Sequence, residues 1–91
     1  MENTPISATA IETTLWHIQR EDMQRHGMTQ SERDMQPLVW YINTGRASLD
    51  FLHKLMTTSP CMVARDLHKG GSDEEVINRV CRRIGYDRSA L

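Results

Sequence analysis

The sequence lacks several features that define whole classes of protein. No segment approaches the roughly 18 consecutive apolar residues that a membrane-spanning helix needs, so we expect no membrane partner. It has only two cysteines, Cys61 and Cys81, too few for a disulfide framework, and both are expected to be free thiols. The first residues, Met-Glu-Asn-Thr-Pro, contain neither the basic nor the apolar region of a secretory signal. These absences predict a cytoplasmic protein.

Charge of one sign does not dominate, because the formal net charge is −1. A chain without net positive charge is not expected to be a general nucleic-acid binder. The two halves differ, however. Residues 1–45 carry three arginines and six acids, a balance of −3, whereas residues 46–91 carry eight basic and six acidic residues, a balance of +2. Any anionic partner is therefore expected to contact the second half.

Metal-ligand spacing is not evident in the sequence. No histidine lies four residues from another histidine or beside a Cys-x-x-Cys motif, so a zinc site would have to be assembled from distant positions. We therefore predict no metal site from the four histidines, which are His17, His26, His53 and His68.

Catalytic residues are not predicted either. Ser48, Asp50 and His53 lie close together in the sequence, but they share one predicted helix, whereas the members of a Ser-His-Asp triad come from separate, converging elements. Adjacent acids such as Glu21 and Asp22 point apart on a helix and are typical of a solvated surface. The chain is therefore predicted not to be an enzyme.

Apolar residues recur at helical spacing in five segments, and no useful stretch shows the two-residue alternation of a strand. We predict helices over residues 9–26, 47–58, 60–69 and 72–84. Between the first two, Pro37 cannot donate a backbone hydrogen bond and disfavours helical geometry at the preceding residue. The segment from Ser31 to Asn43 is therefore either a kinked helix or a loop followed by a short helix that starts at Pro37, and the second interpretation is favoured. The sequence thus predicts an all-α bundle of four to five helices, in one domain (1–91) with an ordered core over about residues 8–86.

The predicted helices have apolar stripes that are expected to form the core. In the first helix, Ile11, Leu15 and Ile18 are followed on the same side by Asp22 or Met23. Trp16 lies beside this stripe; we expect Trp16 and Trp40 to fill the core, with an exposed Trp16 as the alternative. The stripes of the third and last helices are Leu49, Leu52, Leu55 and Met56, and Val76, Ile77, Val80, Cys81 and Ile84.

The ends of the last helix are marked most clearly. Ser72-Asp-Glu-Glu75 has the pattern of a capping box, in which the serine hydroxyl and the glutamate carboxylate each accept a bond from the other's backbone N–H. Gly85 follows the stripe and is expected to end the helix in the left-handed conformation. We expect Ile77 and Val80 to be buried between this helix and the first.

The segment Gly45-Arg-Ala-Ser48-Leu49 resembles the attachment motif of acyl and peptidyl carrier proteins, Gly-x-x-Ser-Leu. Downstream, Arg65-Asp-Leu, Ser72, Glu75-Val and Arg79-Val look like a run that often closes peptidyl carriers, so the resemblance covers roughly residues 9–86. It implies a carrier-like up-down arrangement with a long first connection. It also implies that Ser48 carries 4′-phosphopantetheine, that the chain presents an acyl or aminoacyl group, and that its partners are a transferase and loading enzymes.

The third helix is the docking surface that the resemblance implies. The residues expected to contact partners are Leu49, Asp50, His53 and Lys54. The sequence departs from the family at Ala47, where carriers usually have Asp or His, and in a third helix about one turn shorter. The positive end of a helix favours an attached phosphate, but a serine here is equally typical of an ordinary N-cap.

Two other functions remain open from the sequence. The first is a small regulator or adaptor without a prosthetic group, which binds another protein through exposed aromatic residues such as Trp16. The stretch His53–Ser59 also resembles small bacterial biofilm and stress connector proteins. The second is a DNA-binding regulator, but the last helix begins with three acids that phosphates would repel. We expect its basic face, Arg79, Arg82 and Arg83, to be solvated, with Glu75 available to pair with Arg79 or Arg82.

Overall fold

The computed structural model describes residues 6–88 as five α-helices, with no strand in that part of the chain. The helices are α1 (Ala8–His26), α2 (Met28–Asn43), α3 (Leu49–Thr57), α4 (Pro60–His68) and α5 (Asp73–Ile84). The predicted all-α bundle is confirmed. None of these helices combines the length and the apolar character that crossing a membrane requires.

Local capping explains where several helices begin and end. Ser7 accepts a bond from the Ala10 N–H at the start of α1. Both halves of the predicted capping box are present at the start of α5, where Glu75 Oε1 accepts from the Ser72 N–H at 2.8 Å and Ser72 Oγ accepts from the Glu75 N–H at 3.2 Å. Gly85 ends α5 with φ 80° and ψ 26°, the predicted left-handed conformation.

The second helix differs from the prediction, because α2 begins at Met28 and continues through Pro37. The favoured loop before Pro37 is wrong, and the alternative of a helix that includes Pro37 is the observed one. Helix α2 occupies the long first connection that the carrier resemblance implies. A proline inside a helix costs about 3 kcal/mol. Here the helix buries Met35, Leu38 and Tyr41 on one face, and full burial of each apolar side chain contributes about 1.5–3 kcal/mol. Tertiary packing therefore outweighs the local preference.

Gly27 is the single residue between α1 and α2. Its φ of 86° and ψ of 166° lie in a region that is essentially restricted to glycine. Its N–H donates to the Met23 carbonyl at 2.9 Å, and its own carbonyl accepts from the Ser31 N–H at 3.0 Å. The chain therefore reverses without a loop, and the last turn of α1 lies close to the start of α2.

The core receives side chains from all five helices. The stripe predicted for α5 is confirmed, since Val76, Ile77, Val80, Cys81 and Ile84 are all buried. Their neighbours differ from the prediction, however. Helix α5 packs mainly against α4 and α2 rather than against α1, and α1 also packs against α4 and α2.

Helix α3 is rotated relative to its predicted stripe. Phe51, Leu52 and Leu55 are buried, whereas Leu49 and Met56 are exposed, so the predicted burial of those two is wrong. The ring of Phe51 lies 5.0 Å from that of Tyr41 and 5.6 Å from that of Tyr86. Burying this ring contributes more than burying Leu49 would, which fixes the face that α3 presents to the core.

The tryptophans and cysteines divide between core and surface. Trp40 is partly buried against the core, but Trp16 is 54% exposed, so the expectation that Trp16 fills the core is wrong. Both thiols are free as predicted, with Cys81 buried and Cys61 partly exposed. Burial raises the pKa of the Cys81 thiol, which makes it an unreactive core side chain.

Ile77 provides the test of this core, because it is completely buried in α5. We expect Ile77→Ala to lower the free energy of unfolding by about 2–5 kcal/mol, through lost transfer energy and the cavity left behind. The exposed residue Arg82 on the same helix is the control, and Arg82→Ala should change stability by less than about 0.5 kcal/mol. Urea denaturation curves for the three proteins measure both values; equal midpoints for wild type and Ile77→Ala would contradict this packing.

Candidate functional site

Ser48 lies where the carrier resemblance requires, at the start of α3, but its hydroxyl has two partners. As the N-cap, Ser48 Oγ accepts a bond from the Phe51 N–H at 3.1 Å. The same hydroxyl donates to the phenolic oxygen of Tyr86 at 3.1 Å. Tyr86 is buried against Phe51. Ser48 therefore links the start of α3 to the segment after α5, which is a structural role.

The α3 residues that the resemblance names lie on an accessible surface. Leu49 and His53 are exposed one turn apart, and Met56 continues the same face. Asp50 and Lys54 pair with each other, with Lys54 Nζ 2.8 Å from Asp50 Oδ2. The face is mixed in charge rather than acidic, as the sequence indicates.

A second surface surrounds Trp16, and we call it the Trp16 groove. It is lined by Trp16, Gln19, Arg20, Met23 and Met28. Met28 is 62% exposed, and the guanidinium carbon of Arg20 lies 5.4 Å from the centre of the Trp16 ring. This distance is typical of a cation–π contact. The groove combines exposed apolar atoms with one positive charge.

The arginines of α5 are partly engaged in holding the fold together. Arg83 Nε lies 2.8 Å from the buried carboxylate of Asp66, and Arg79 donates to the backbone carbonyls of Asp66 and Gly70 at 2.8 and 3.0 Å. The predicted solvation of this face is confirmed for Arg83, which is exposed, but Arg79 is half-buried and donates to backbone carbonyls. Arg82 is exposed as predicted.

Four polar side chains meet where α1, α2 and α4 come together, and we call them the carboxylate–histidine cluster: Asp22, His26, Asp34 and His68. Asp22 and His26 are one turn apart at the end of α1, Asp34 lies on α2, and His68 is the last residue of α4. His68 Nδ1 is 2.8 Å from Asp34 Oδ2. The rings of His26 and His68 are stacked, with their centres 3.4 Å apart.

Within this cluster, the two carboxylates are unequally supplied with hydrogen-bond donors. Asp34 has His68 on one oxygen and the Gln30 side-chain amide at 2.8 Å on the other. Asp22 is only 1% exposed, and its Oδ2 is buried without a hydrogen-bond partner. Two ionised carboxylates can only accept bonds, so Asp22 can bond to Asp34 only when it is protonated.

The pKa values of the two carboxyls separate accordingly. Burial, followed by the hydrogen bond and the charge of Asp34, raises the pKa of Asp22 to about 7, against smaller lowering effects of His68 and Arg25. Burial also acts to raise the pKa of Asp34, but its hydrogen bonds with Asp22, His68 and Gln30 outweigh burial and lower it. At pH values between these two pKa values, Asp34 is ionised and Asp22 is protonated, so the pair holds one proton.

Three members of the cluster could also hold a metal ion. One ligand atom each from Asp22, His26 and His68 can be chosen so that all three lie within 4.8 Å of one another. The sequence contained one signal for this site, because Asp22 continues an apolar stripe and a histidine follows it by four residues. The spacing between histidines does not indicate this Asp–His pair, and no residue near His68 in the sequence indicates that His68 joins it.

The raised pKa of Asp22 predicts how stability depends on pH. Between the ordinary value of 3.8 and about 7, the folded chain binds more protons at Asp22 than the unfolded chain does, so its contribution to stability falls as the pH rises through this interval. Asp22→Asn removes this titration, and its amide can donate to Asp34. We expect the variant to exceed wild type in stability above pH 7, by at most about 4 kcal/mol, and to lose this advantage towards pH 4.

Urea denaturation in metal-free buffer at several pH values measures the difference. The lowered pKa of Asp34 has the opposite effect, because it makes the free energy of unfolding rise with pH. The difference in that free energy between Asp22→Asn and wild type is therefore more informative than the pH curve of either protein alone. Glu21→Gln is the matched control, because Glu21 is the neighbouring acid and makes only a 4.0 Å pair with Arg25; it should keep the wild-type slope. A pH-independent difference between Asp22→Asn and wild type would show that the pKa of Asp22 is the same in the folded and unfolded chains.

Comparison with known proteins identifies no relative of this chain. No protein-family model matches it, no curated protein matches it, and no solved structure matches it.

Proposed function

We propose that the protein is a non-enzymatic helical regulator or adaptor that binds a protein partner through the Trp16 groove. The observation that carries this proposal is the exposure of Trp16 and Met28, at 54% and 62%, on adjacent helices. Tryptophan, methionine and arginine are enriched at protein interfaces, and tryptophan and arginine dominate their hot spots.

The placement of the aromatic residues supports a role for Trp16 outside the core. The chain has two tryptophans, two tyrosines and one phenylalanine, and the two tyrosines and the phenylalanine are buried. A small domain has few large side chains with which to build a core. Leaving the largest side chain of α1 on the surface forgoes that stabilisation, which is consistent with use of Trp16 in binding.

The charge in the groove indicates the chemistry of the partner. Among residues 6–88, Arg20 makes no ion pair, and its guanidinium lies over the Trp16 ring. A partner segment with an apolar side chain next to a carboxylate would cover the ring and pair with the arginine. The proposed partner is therefore a protein with an acidic and apolar docking segment.

Substitutions in the groove test this proposal once a partner is captured from the source cell and purified. We expect Trp16→Ala to weaken binding by about 30-fold or more, since a hot-spot side chain contributes at least about 2 kcal/mol. Arg20→Glu should weaken binding and Arg20→Lys should largely retain it, because the charge is preserved. Titration calorimetry with the purified partner measures these differences.

The control is Gln24→Ala, an exposed position of α1 outside the groove. It should bind like wild type, and urea denaturation should show unchanged stability for all four variants. A partner whose affinity is unaffected by Trp16→Ala would contradict the proposed surface. Loss of dimerisation rather than of partner binding in Trp16→Ala, measured by light scattering, would show that the groove binds a second copy instead.

A carrier protein is the second candidate, and one observation favours it. Ser48 is the N-cap of α3 and lies three residues after Gly45, where φ is 77°, which supports the resemblance to the attachment motif. In this function, Ser48 carries 4′-phosphopantetheine, and Leu49, Asp50, His53 and Lys54 contact the transferase and loading enzymes. A phosphodiester on Ser48 could still accept from the Phe51 N–H but could no longer donate to Tyr86, so attachment must disturb the bond that the hydroxyl makes now.

Mass spectrometry after incubation with a phosphopantetheinyl transferase and coenzyme A tests this candidate. The carrier function predicts a gain of one phosphopantetheine group in wild type and none in Ser48→Ala. Ser59→Ala is the matched control, since Ser59 precedes α4 as Ser48 precedes α3, and it should be modified like wild type. Tyr86→Phe frees the hydroxyl and should be modified faster. An unchanged mass with every transferase, including that of the source organism, would exclude the carrier function.

A further inference from the structure

We infer that Asp22, His26 and His68 form a binding site for a divalent transition-metal ion of the zinc type. Their candidate ligand atoms already lie within 4.8 Å of one another. The independent observation is Asp22 Oδ2, which is buried and has no hydrogen-bond partner. A buried carboxylate oxygen without a donor is costly, and a bound cation would satisfy it.

The spacing of the ligand atoms suits a small ion after a modest adjustment. Zinc binds nitrogen and carboxylate oxygen at about 2.0–2.2 Å, so the ligands of a tetrahedral site lie roughly 3.4 Å apart. The two rings are parallel, with an interplanar angle of 3°, and parallel stacked rings cannot both direct a nitrogen at one ion. The two rings must therefore rotate out of their parallel arrangement when the ion binds.

Both histidines are placed where such a movement is possible. His26 is the last residue of α1 and is exposed. His68 is the last residue of α4, and its side chain is 38% exposed. Asp22 is fixed in the interior one turn before His26, so the site has one rigid ligand and two adjustable ones. Ion binding would tie the end of α1 to the end of α4.

Asp34 acts as the positioning residue for His68. Its Oδ2 lies 2.8 Å from His68 Nδ1, and its other oxygen is held by Gln30. A carboxylate on Nδ1 leaves the Nε2 lone pair for a metal ion, as metal-binding histidines commonly do. When the ion binds, the proton that Asp22 and Asp34 share is released to solvent. One dication then meets two carboxylates and two neutral imidazoles, so the charges balance.

The ligand set selects the class of ion. Two imidazoles and one carboxylate suit zinc and its neighbours, whereas magnesium and calcium prefer oxygen ligands. Three protein ligands leave the fourth position of a tetrahedral site for water or for a group from a partner. The exposed histidines place that position at the surface.

Titration of the purified chain with Zn²⁺, followed by calorimetry and by thermal unfolding, tests the site. We expect one ion per chain and a rise in Tm that depends on the zinc concentration, with no effect of Mg²⁺. His26→Gln, His68→Gln and Asp22→Asn should each abolish binding. Asp34→Asn should weaken it by about 10–100-fold, as expected for a group that orients a ligand. Substitution with Co²⁺ should give a visible absorption band that His26→Gln removes.

Two controls separate this site from other zinc-binding groups. His17→Gln removes an exposed histidine of α1 outside the cluster, and Cys61→Ser removes the accessible thiol; both should bind zinc like wild type. Because His26 is exposed, its replacement should leave the fold intact, which urea denaturation without metal verifies. Zinc binding that survives in His26→Gln and His68→Gln would overturn the inference. Absence of binding in wild type would also overturn it and leave the cluster as a carboxyl pair that shares a proton.

Discussion

The one-residue turn at Gly27 sets the positions of the helices around it. A side chain at this position would find space, since no atom lies within 4 Å of the point that a Cβ would occupy, but the backbone dihedrals are ones that only glycine adopts readily. So short a connection leaves the helices little freedom to slide or separate. It places the last turn of α1 beside the first turns of α2, so that Asp22 and His26 approach Asp34. Helix α4 packs against both helices and brings His68 to the same point.

Three aspartates are buried in the described chain, and their surroundings show different uses of a buried charge. Asp66 is neutralised by Arg83, and the backbone carbonyl of the same residue accepts from Arg79, so this network joins α4 to α5. Asp34 is supplied with donors by Gln30 and His68. Asp22 alone has an oxygen without a donor. A buried carboxylate in that position must take up a proton or a cation, which distinguishes it from the two that stabilise the fold.

Ser48 and Trp16, the two residues that the sequence singled out, both lie in environments that differ from the expected ones. Ser48, predicted from a resemblance to be a free attachment point, is bonded to Phe51 and Tyr86 at the edge of the aromatic core. Trp16, predicted to fill the core, is 54% exposed beside the buried stripe of α1. The rings of Phe51, Tyr41 and Tyr86 pack against one another in the core, and the bond to Tyr86 ties Ser48 to this cluster.

Features that act over a few residues could be predicted from the sequence alone. Helical periodicity predicted the all-α class, and the chemistry of capping predicted the start of α5 at Ser72 and its end at Gly85, because these effects need only neighbouring backbone groups. The continuity of α2 through Pro37, the rotation of α3 and the carboxylate–histidine cluster depend instead on how the helices pack. Burial against other helices outweighs a local proline preference, and Asp34 and His68, which are 34 residues apart in sequence, meet only because three helices pack together.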